Sequence, residues 1–463
     1  MRHVPLVAAF AVTTLVMGCT APTATTAGES RPVADPIYPA RGTDRLDVLH
    51  YDLDLAWDVA AKTLTGTATL RVRPVVDATA LSLDFMAYTI DAVSLNEEPV
   101  VATVTDEKLT VPAAVTANRP VTLVVKYHGR PRTTPIPSHR GDSEPLGLTV
   151  TADGGLWTMQ EPFGAFTWYP ANDQPSDEAL YDISVTVPDG WSAVASGTPV
   201  AGTITNVFEY QSKDPVATYL TTLAVGRYQK IEAEGPHGLP LTYWYRKGID
   251  DKLVESLKKS PEYVAFLEER FGPYPFPTGG IVMVDSASGM ETQQMITMGG
   301  KIGAWDEQVR AGFEKDLLHE YAHQWFGDSV TPTTWKDLWL NEGWATYAQL
   351  LWEQDRDQLT DAELEQYLRG RDATLREQLG PPGSPRAANF AEGNVYLCPA
   401  AMLQQLHAKL GDKKFFALAT AWVQTQKNTQ QDRASFIAFV RDHTGTDYSA
   451  LINAWLDSPV TPA

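Results

Sequence analysis

His319 and His323 stand four residues apart, with Glu320 beside the first, in the string His319-Glu320-Tyr321-Ala322-His323. On a helix that spacing projects both imidazoles from one face, one turn apart, where they can grip a single metal ion. Glu320 then points into the same space and can take a proton from a metal-bound water. Glu342, after eighteen intervening residues, can return on the next helix as a third ligand. Three protein ligands leave a fourth position open, which suits a catalytic rather than a structural zinc. The bland alternative is a surface helix with two solvated histidines, and the neighbouring residues argue against it. Leu317-Leu318 and Tyr321-Ala322 supply an apolar stripe, so the helix is packed. Gln324-Trp325-Phe326-Gly327-Asp328 then ends it with aromatics and a glycine stop. Glu342 sits among Trp335, Trp339 and Trp344. A carboxylate in such company is costly to bury unless it is paired or bound to a cation.

The His-Glu-x-x-His pair, the delayed glutamate and the wording Trp-x-x-x-Trp-Leu-Asn-Glu-Gly over 335–343 resemble the aminopeptidase N and leukotriene-A hydrolase family of zinc metallopeptidases. The resemblance implies one Zn2+ per chain, held by His319, His323 and Glu342, with Glu320 as general base and proton shuttle. Ser288-Gly289-Met290-Glu291-Thr292 is similar to the family's Gly-x-Met-Glu-Asn motif. Glu291, with Gly289 and Met290 beside it, would then bind the substrate's free α-amino group. Ser288 and Thr292 replace the motif's first glycine and its asparagine.

Gln160-Glu161-Pro162, followed by Trp168-Tyr169-Pro170-Ala171-Asn172-Asp173-Gln174-Pro175, resembles a second family stretch. It implies Glu161 as another amine anchor. The family glutamine two positions earlier falls on Met159, and Gln160 is the candidate to replace it. Phe166 stands where an arginine is common. Asn394-Val395-Tyr396-Leu397-Cys398-Pro399-Ala400 resembles the family's Tyr-Glu-Lys-Gly-Ala, which makes Tyr396 the hydrogen-bond donor to the oxyanion. Pro399 replaces the glycine there, at what the sequence suggests is a first helical turn.

These residues need a scaffold, and the text of the chain changes midway. From Leu46 to Arg227 it reads as strands: 51–57 and 64–72 alternate apolar and polar residues with period two. Residues 80–85, 121–127, 181–187 and 217–225 continue the pattern between Asp, Gly and Pro turns. After Gly235-Pro236-His237-Gly238, residues 250–271 read as helix, 279–285 as strand, and the remainder from Gln308 as mostly helical. The expected fold class is α+β multidomain. An N-terminal antiparallel β domain over 43–232, like the family's saddle-shaped one, precedes a thermolysin-like domain over 233–463 with the zinc helix in its middle. The family's larger members continue into a long helical domain. Its absence over these residues implies a more open cleft.

At 463 residues, 43% hydrophobic and 20% charged, the chain describes globular domains, and its formal charge of −20 argues against nucleic acid as a partner. Residues 1–19 read as an export signal whose apolar run, Val4 to Gly18, is too short to span a bilayer permanently. Leu15-Val16-Met17-Gly18-Cys19 resembles a bacterial lipoprotein box with Cys19 acylated. Residues 20–42 then read as a flexible tether. The expected location is the extracellular face of a bacterial membrane, lipid-anchored or else secreted. Of the two cysteines, Cys398 is most simply a small buried hydrophobe.

The resulting expectation is an exported zinc aminopeptidase acting on peptides with a free N-terminus. Two alternatives are a thermolysin-like endopeptidase, which would differ at the amine anchors, and a catalytically silent binding lipoprotein of the same fold.

Overall fold

A computed structural model describes residues 28–138, 144–202, 204–300 and 307–463, with only the backbone described over 307–311. The expected export signal over 1–19, Cys19 included, lies outside the described residues.

The period-two segments form the N-terminal part. Strand Leu46–Asp58 buries Tyr51, Leu53, Leu55 and Trp57 on one face and turns Asp52, Asp54 and Asp58 to solvent. It pairs antiparallel with Thr63–Pro74, which pairs antiparallel with Val121–Gly129. On its other side Leu46–Asp58 pairs with Glu178–Thr186 in parallel, so the nine-stranded sheet is antiparallel apart from that junction. The long connection from Asp58 to Glu178 is what permits a parallel neighbour. Gly66 has a steric reason: a Cβ there would lie 2.4 Å from the Tyr127 ring.

A smaller sheet, Gly147–Val150, Leu156–Met159, Leu223–Gly226 and Ser192–Ala195, carries the chain toward residue 161. The continuous strand expected over 217–225 is instead interrupted by the 3-10 turn Thr218–Leu220. That turn presses Tyr219 against the second part, where its hydroxyl meets the Gly327 carbonyl at 3.3 Å and its ring meets Trp335 edge-on. The tether expected over 20–42 also needs correction, because its described portion is packed. Ser30 Oγ donates to buried Asp47 at 2.5 Å, and Asp35 accepts from the backbone N–H of Trp335 at 2.7 Å.

The second part begins with the sheet Tyr228–Glu234, Pro240–Arg246, Gly279–Val284 and Ile296–Gly299, a few residues ahead of the expected boundary at 233. Nine helices follow among the described residues. The helix expected over 250–271 is two, α1 (Asp251–Lys258) and α2 (Ser260–Phe271), because Pro261 opens a new first turn. Then come α3 (Glu307–His323), α4 (Trp339–Asp357), α5 (Asp361–Leu379), α6 (Gly393–Leu410), α7 (Asp412–Gln426), α8 (Arg433–Thr444) and α9 (Ser449–Asp457). Their shared core is aromatic: Trp344 stacks on Phe326 at 4.5 Å and on Phe415 at 5.6 Å. Cys398 is buried. No helix among the described residues is long and apolar enough to cross a membrane.

Candidate metal centre and substrate cleft

His319 and His323 occupy the last turns of α3, and Glu342 the first turn of α4. The two helices cross so that three donor atoms converge. His319 Nε2 lies 3.0 Å from His323 Nε2 and 3.2 Å from Glu342 Oε2, and His323 Nε2 lies 3.3 Å from the same oxygen. A tetrahedral zinc with ligands at about 2.0–2.2 Å sets its donor atoms roughly 3.3 Å apart, so the donor set fits that ion in type and in spacing. A local turn fixes the orientation of His323. After α3 the chain makes a π turn, Gln324–Asp328, in which Gly327 takes φ 128. This brings the Phe326 carbonyl to 3.0 Å from His323 Nδ1. Nδ1–H donates to that carbonyl and Nε2 is left to face the centre.

The electrostatics agree. Burial pushes the Glu342 carboxyl up, but the two imidazoles more than offset it and hold it well below the usual carboxylate range. Burial pushes His323 down, yet Glu291 and Glu342 together hold it well above an ordinary imidazole. Glu320 is raised first by burial and then by the Glu291 charge, and Glu291 is raised by burial against the opposing pull of His323. Glu320 Oε2 and Glu291 Oε1 are buried with no hydrogen-bond partner. Buried oxygens in that state are costly unless a cation or a bound ligand meets them.

A cleft of about 810 Å³ opens over this centre, lined by Glu161, Gly289, Glu291, Glu320 and Tyr396 together with the three donor residues. Gly289 is there for space, since a Cβ on it would lie 2.5 Å from Glu320 Oε1. Glu291 is held from behind by Gln324, whose Nε2 donates to the Glu291 carbonyl at 2.9 Å. The sequence reading missed Gln324, although its place directly after His323 was a signal. Tyr396, half-buried in the first turn of α6, stacks its ring on His319 at 5.9 Å.

Two expected substrate contacts are not there. Gln160 is buried away from the cleft, donating to the carbonyls of Thr218 and Thr221 at 2.8 and 2.7 Å and accepting from Trp168 Nε1 at 2.9 Å. Met290 is 3% exposed, and its backbone pairs with Thr297 while its side chain joins the core. Phe166 is fully buried with the Arg41 guanidinium 4.0 Å over its ring. Thr292 bonds Thr297 Oγ1 at 2.9 Å and the Met295 carbonyl, which closes the loop that presents Glu291. Pro399 lies inside α6 rather than at its first turn, with its ring against Gly343. The cleft also runs outward past Lys315, Asp316 and Glu353 to α5, a wall that no motif announced.

Residues 48–220 match the peptidase M1 N-terminal domain, and residues 255–455 match the peptidase family M1 domain. The chain belongs to the peptidase M1 family. Among solved structures it is similar to an M1 zinc metallopeptidase variant from Deinococcus radiodurans bound to a Tyr-Ser-Ala substrate. The TM-score is 0.81 at 27% identity, covering 93% of this chain and 99% of that one. Aminopeptidase N of Streptomyces lividans is 25% identical over 65% of this chain and 38% of its own length. Aminopeptidase M1 of Arabidopsis thaliana is 24% identical over 88% of this chain and 49% of its own. This M1 chain thus spans half or less of the length of those two curated relatives, and nearly all of the Deinococcus chain.

Proposed function

We propose that this chain is a zinc-dependent aminopeptidase that releases the N-terminal residue from peptides. The observation that carries the reading is the position of Glu291. Its buried carboxylate, with an oxygen lacking any hydrogen bond, lies 4.0 Å from His323 Nδ1, directly beside the three-donor centre. A carboxylate fixed there fits a substrate ammonium, and its fixed place beside a ligand imidazole restricts cleavage to the first peptide bond. Glu161 lines the same cleft and supports the same role. Held by His319, His323 and Glu342, a zinc ion would supply Lewis acidity to activate water and the peptide carbonyl. Glu320 accepts the proton released by water and returns it to the departing amine. The Tyr396 hydroxyl donates to the oxygen where negative charge develops.

The curated relatives named aminopeptidase and the tripeptide in the Deinococcus structure favour this reading. Its test compares a free-amine peptide with its N-acetylated twin. The free peptide should be strongly preferred, and Glu291→Ala should reduce its kcat/KM roughly 10- to 100-fold, the worth of one charged hydrogen bond. Equal turnover of the two peptides would indicate an endopeptidase, and no turnover of either a binding protein. The proposal includes export and acylation at Cys19. These rest on the apolar run and the Cys19 box in the sequence, and mass measurement of the mature N-terminus tests them.

A further inference from the structure

We propose that the outer arm of the cleft is a subsite for a basic side chain, lysine or arginine, carried by the substrate just beyond the bond that is cut. The inference rests on the aminopeptidase reading, because the amine anchors fix which way a peptide lies. With its N-terminus at Glu291 and Glu161, the substrate's remaining residues must leave past the donor centre along α3 and α4.

Helical spacing builds the arm. Glu342, Thr346, Gln349 and Glu353 share one face of α4 and all line the cleft. Glu353 lies about 16 Å along the axis from Glu342, the span of several extended residues. On α3, Asp316 sits one turn before Glu320 on the same face. The acidic groups of the arm are not equivalent. Glu353 is occupied, receiving Lys315 Nζ at 2.7 Å on one oxygen and Gln349 Nε2 at 2.9 Å on the other. Glu363 is tied to the α5 capping box through one oxygen, Oε2, which accepts from the N–H and hydroxyl of Thr360. Asp316 is exposed to the cleft and makes no hydrogen bond or ion pair among the described residues.

The α4–α5 side of the same cleft carries Leu359, Leu364 and Tyr367 besides Glu363. Leu359 and Tyr367 line the cleft and remain 41% and 50% exposed, so their apolar surface is available to a bound side chain. They are rigidly placed. α4 stops at Gln358 in the left-handed conformation and α5 starts at the Thr360 cap, so Leu359 is fixed in the tight link between them. Apolar surface beside the unpaired Asp316 carboxylate matches a side chain whose stem is aliphatic and whose tip is cationic. The Tyr367 ring adds a face for that cation. An acidic side chain would meet Asp316 and, one turn further, Glu320.

The experiment uses the zinc-loaded full chain and tetrapeptides Ala-Xaa-Ala-Ala and Ala-Ala-Xaa-Ala, with Xaa as lysine, leucine, glutamine or glutamate. At one of these positions lysine should exceed glutamine in kcat/KM by about fivefold at low salt, as expected for one solvent-exposed ion pair. Asp316→Asn should erase that ratio, and Asp316→Lys should invert it toward glutamate. Tyr367→Ser should lower it independently. Asp316→Asn and Tyr367→Ser should hydrolyse alanine p-nitroanilide, which has no residue beyond the scissile bond, within twofold of the parent. Equal rates for lysine and glutamine, or a lysine preference that survives Asp316→Asn, overturns the subsite. Failure of the parent protein to cleave alanine p-nitroanilide would instead overturn the aminopeptidase reading, and the subsite with it.

Discussion

Glu320 reaches the donor centre across a neighbour that has no side chain. A Cβ at Gly289 would lie 2.5 Å from Glu320 Oε1 and 3.1 Å from Met298 Sδ, so it would crowd both. Gly289→Ala should therefore turn Glu320 away from its position and lower kcat by one to two orders of magnitude, with metal content unchanged, because misplacing a reacting group costs about that much. Metal analysis beside steady-state kinetics checks it, and unchanged kcat would remove Gly289 from this role. At this scale the sequence was most legible where one short string carries the whole chemistry. His319, Glu320, His323 and Glu342 stand where their spacing put them. It was least legible between adjacent residues. Gln160 and Glu161 are neighbours, yet one is sealed in the interior and the other lines the cleft. Met290 and Glu291 divide in the same way. Consecutive residues of an extended segment face opposite sides, and a motif names the segment without saying which side is which.

The elements are brought together by close approaches that the motifs only hint at. α4, which carries Glu342, packs on α6, which carries Tyr396, at a point where a Cβ on Gly343 would lie 2.7 Å from the Pro399 ring. Gly343→Ala should force the helices apart, costing about 1–3 kcal/mol of stability as overpacking does. It should also lower kcat by moving Tyr396 relative to Glu342. Thermal unfolding and kinetics read the two effects, and a variant with parental values in both would contradict this account of the contact. Period-two alternation announced the long strands, because their burial follows side-chain parity. It overran at 217–225, where the 3-10 turn of Tyr219 serves the partner domain rather than the strand. The wall supplied by α5 was hidden, since its cleft face is set by tertiary docking and has no motif of its own.

Across the whole molecule, the two parts meet over a buried carboxylate. Glu178, on a strand of the large sheet, accepts from Thr331 and Gln430, which sit on the paired strands Val330–Pro332 and Thr429–Gln431 of the second part. Burial, only partly offset by those two donors, raises Glu178 from 4.5 to about 7. The folded state thus holds this proton more tightly than the unfolded chain. Stability contributed by the group is present below about pH 4.5 and is lost as pH rises toward 7. Glu178→Gln should flatten that part of the profile. Melting curves of both proteins across pH 4.5–8 measure it, and parallel profiles would show that the junction does not titrate. The division into a β part and a helical part was visible in the sequence as a change of texture. The packing of 28–42 onto both parts was not, because its anchors are single polar contacts such as Asp35 to Trp335 rather than a periodic pattern.

The account as a whole depends on a cation at His319, His323 and Glu342, and metal content measured together with activity tests it most directly. The purified protein should carry one zinc per chain, lose hydrolysis of alanine p-nitroanilide when the metal is stripped by a chelator, and regain it when zinc is restored. His323→Ala should bind zinc far more weakly and be inactive. A metal-free protein that hydrolyses the substrate at full rate and ignores chelators would contradict it.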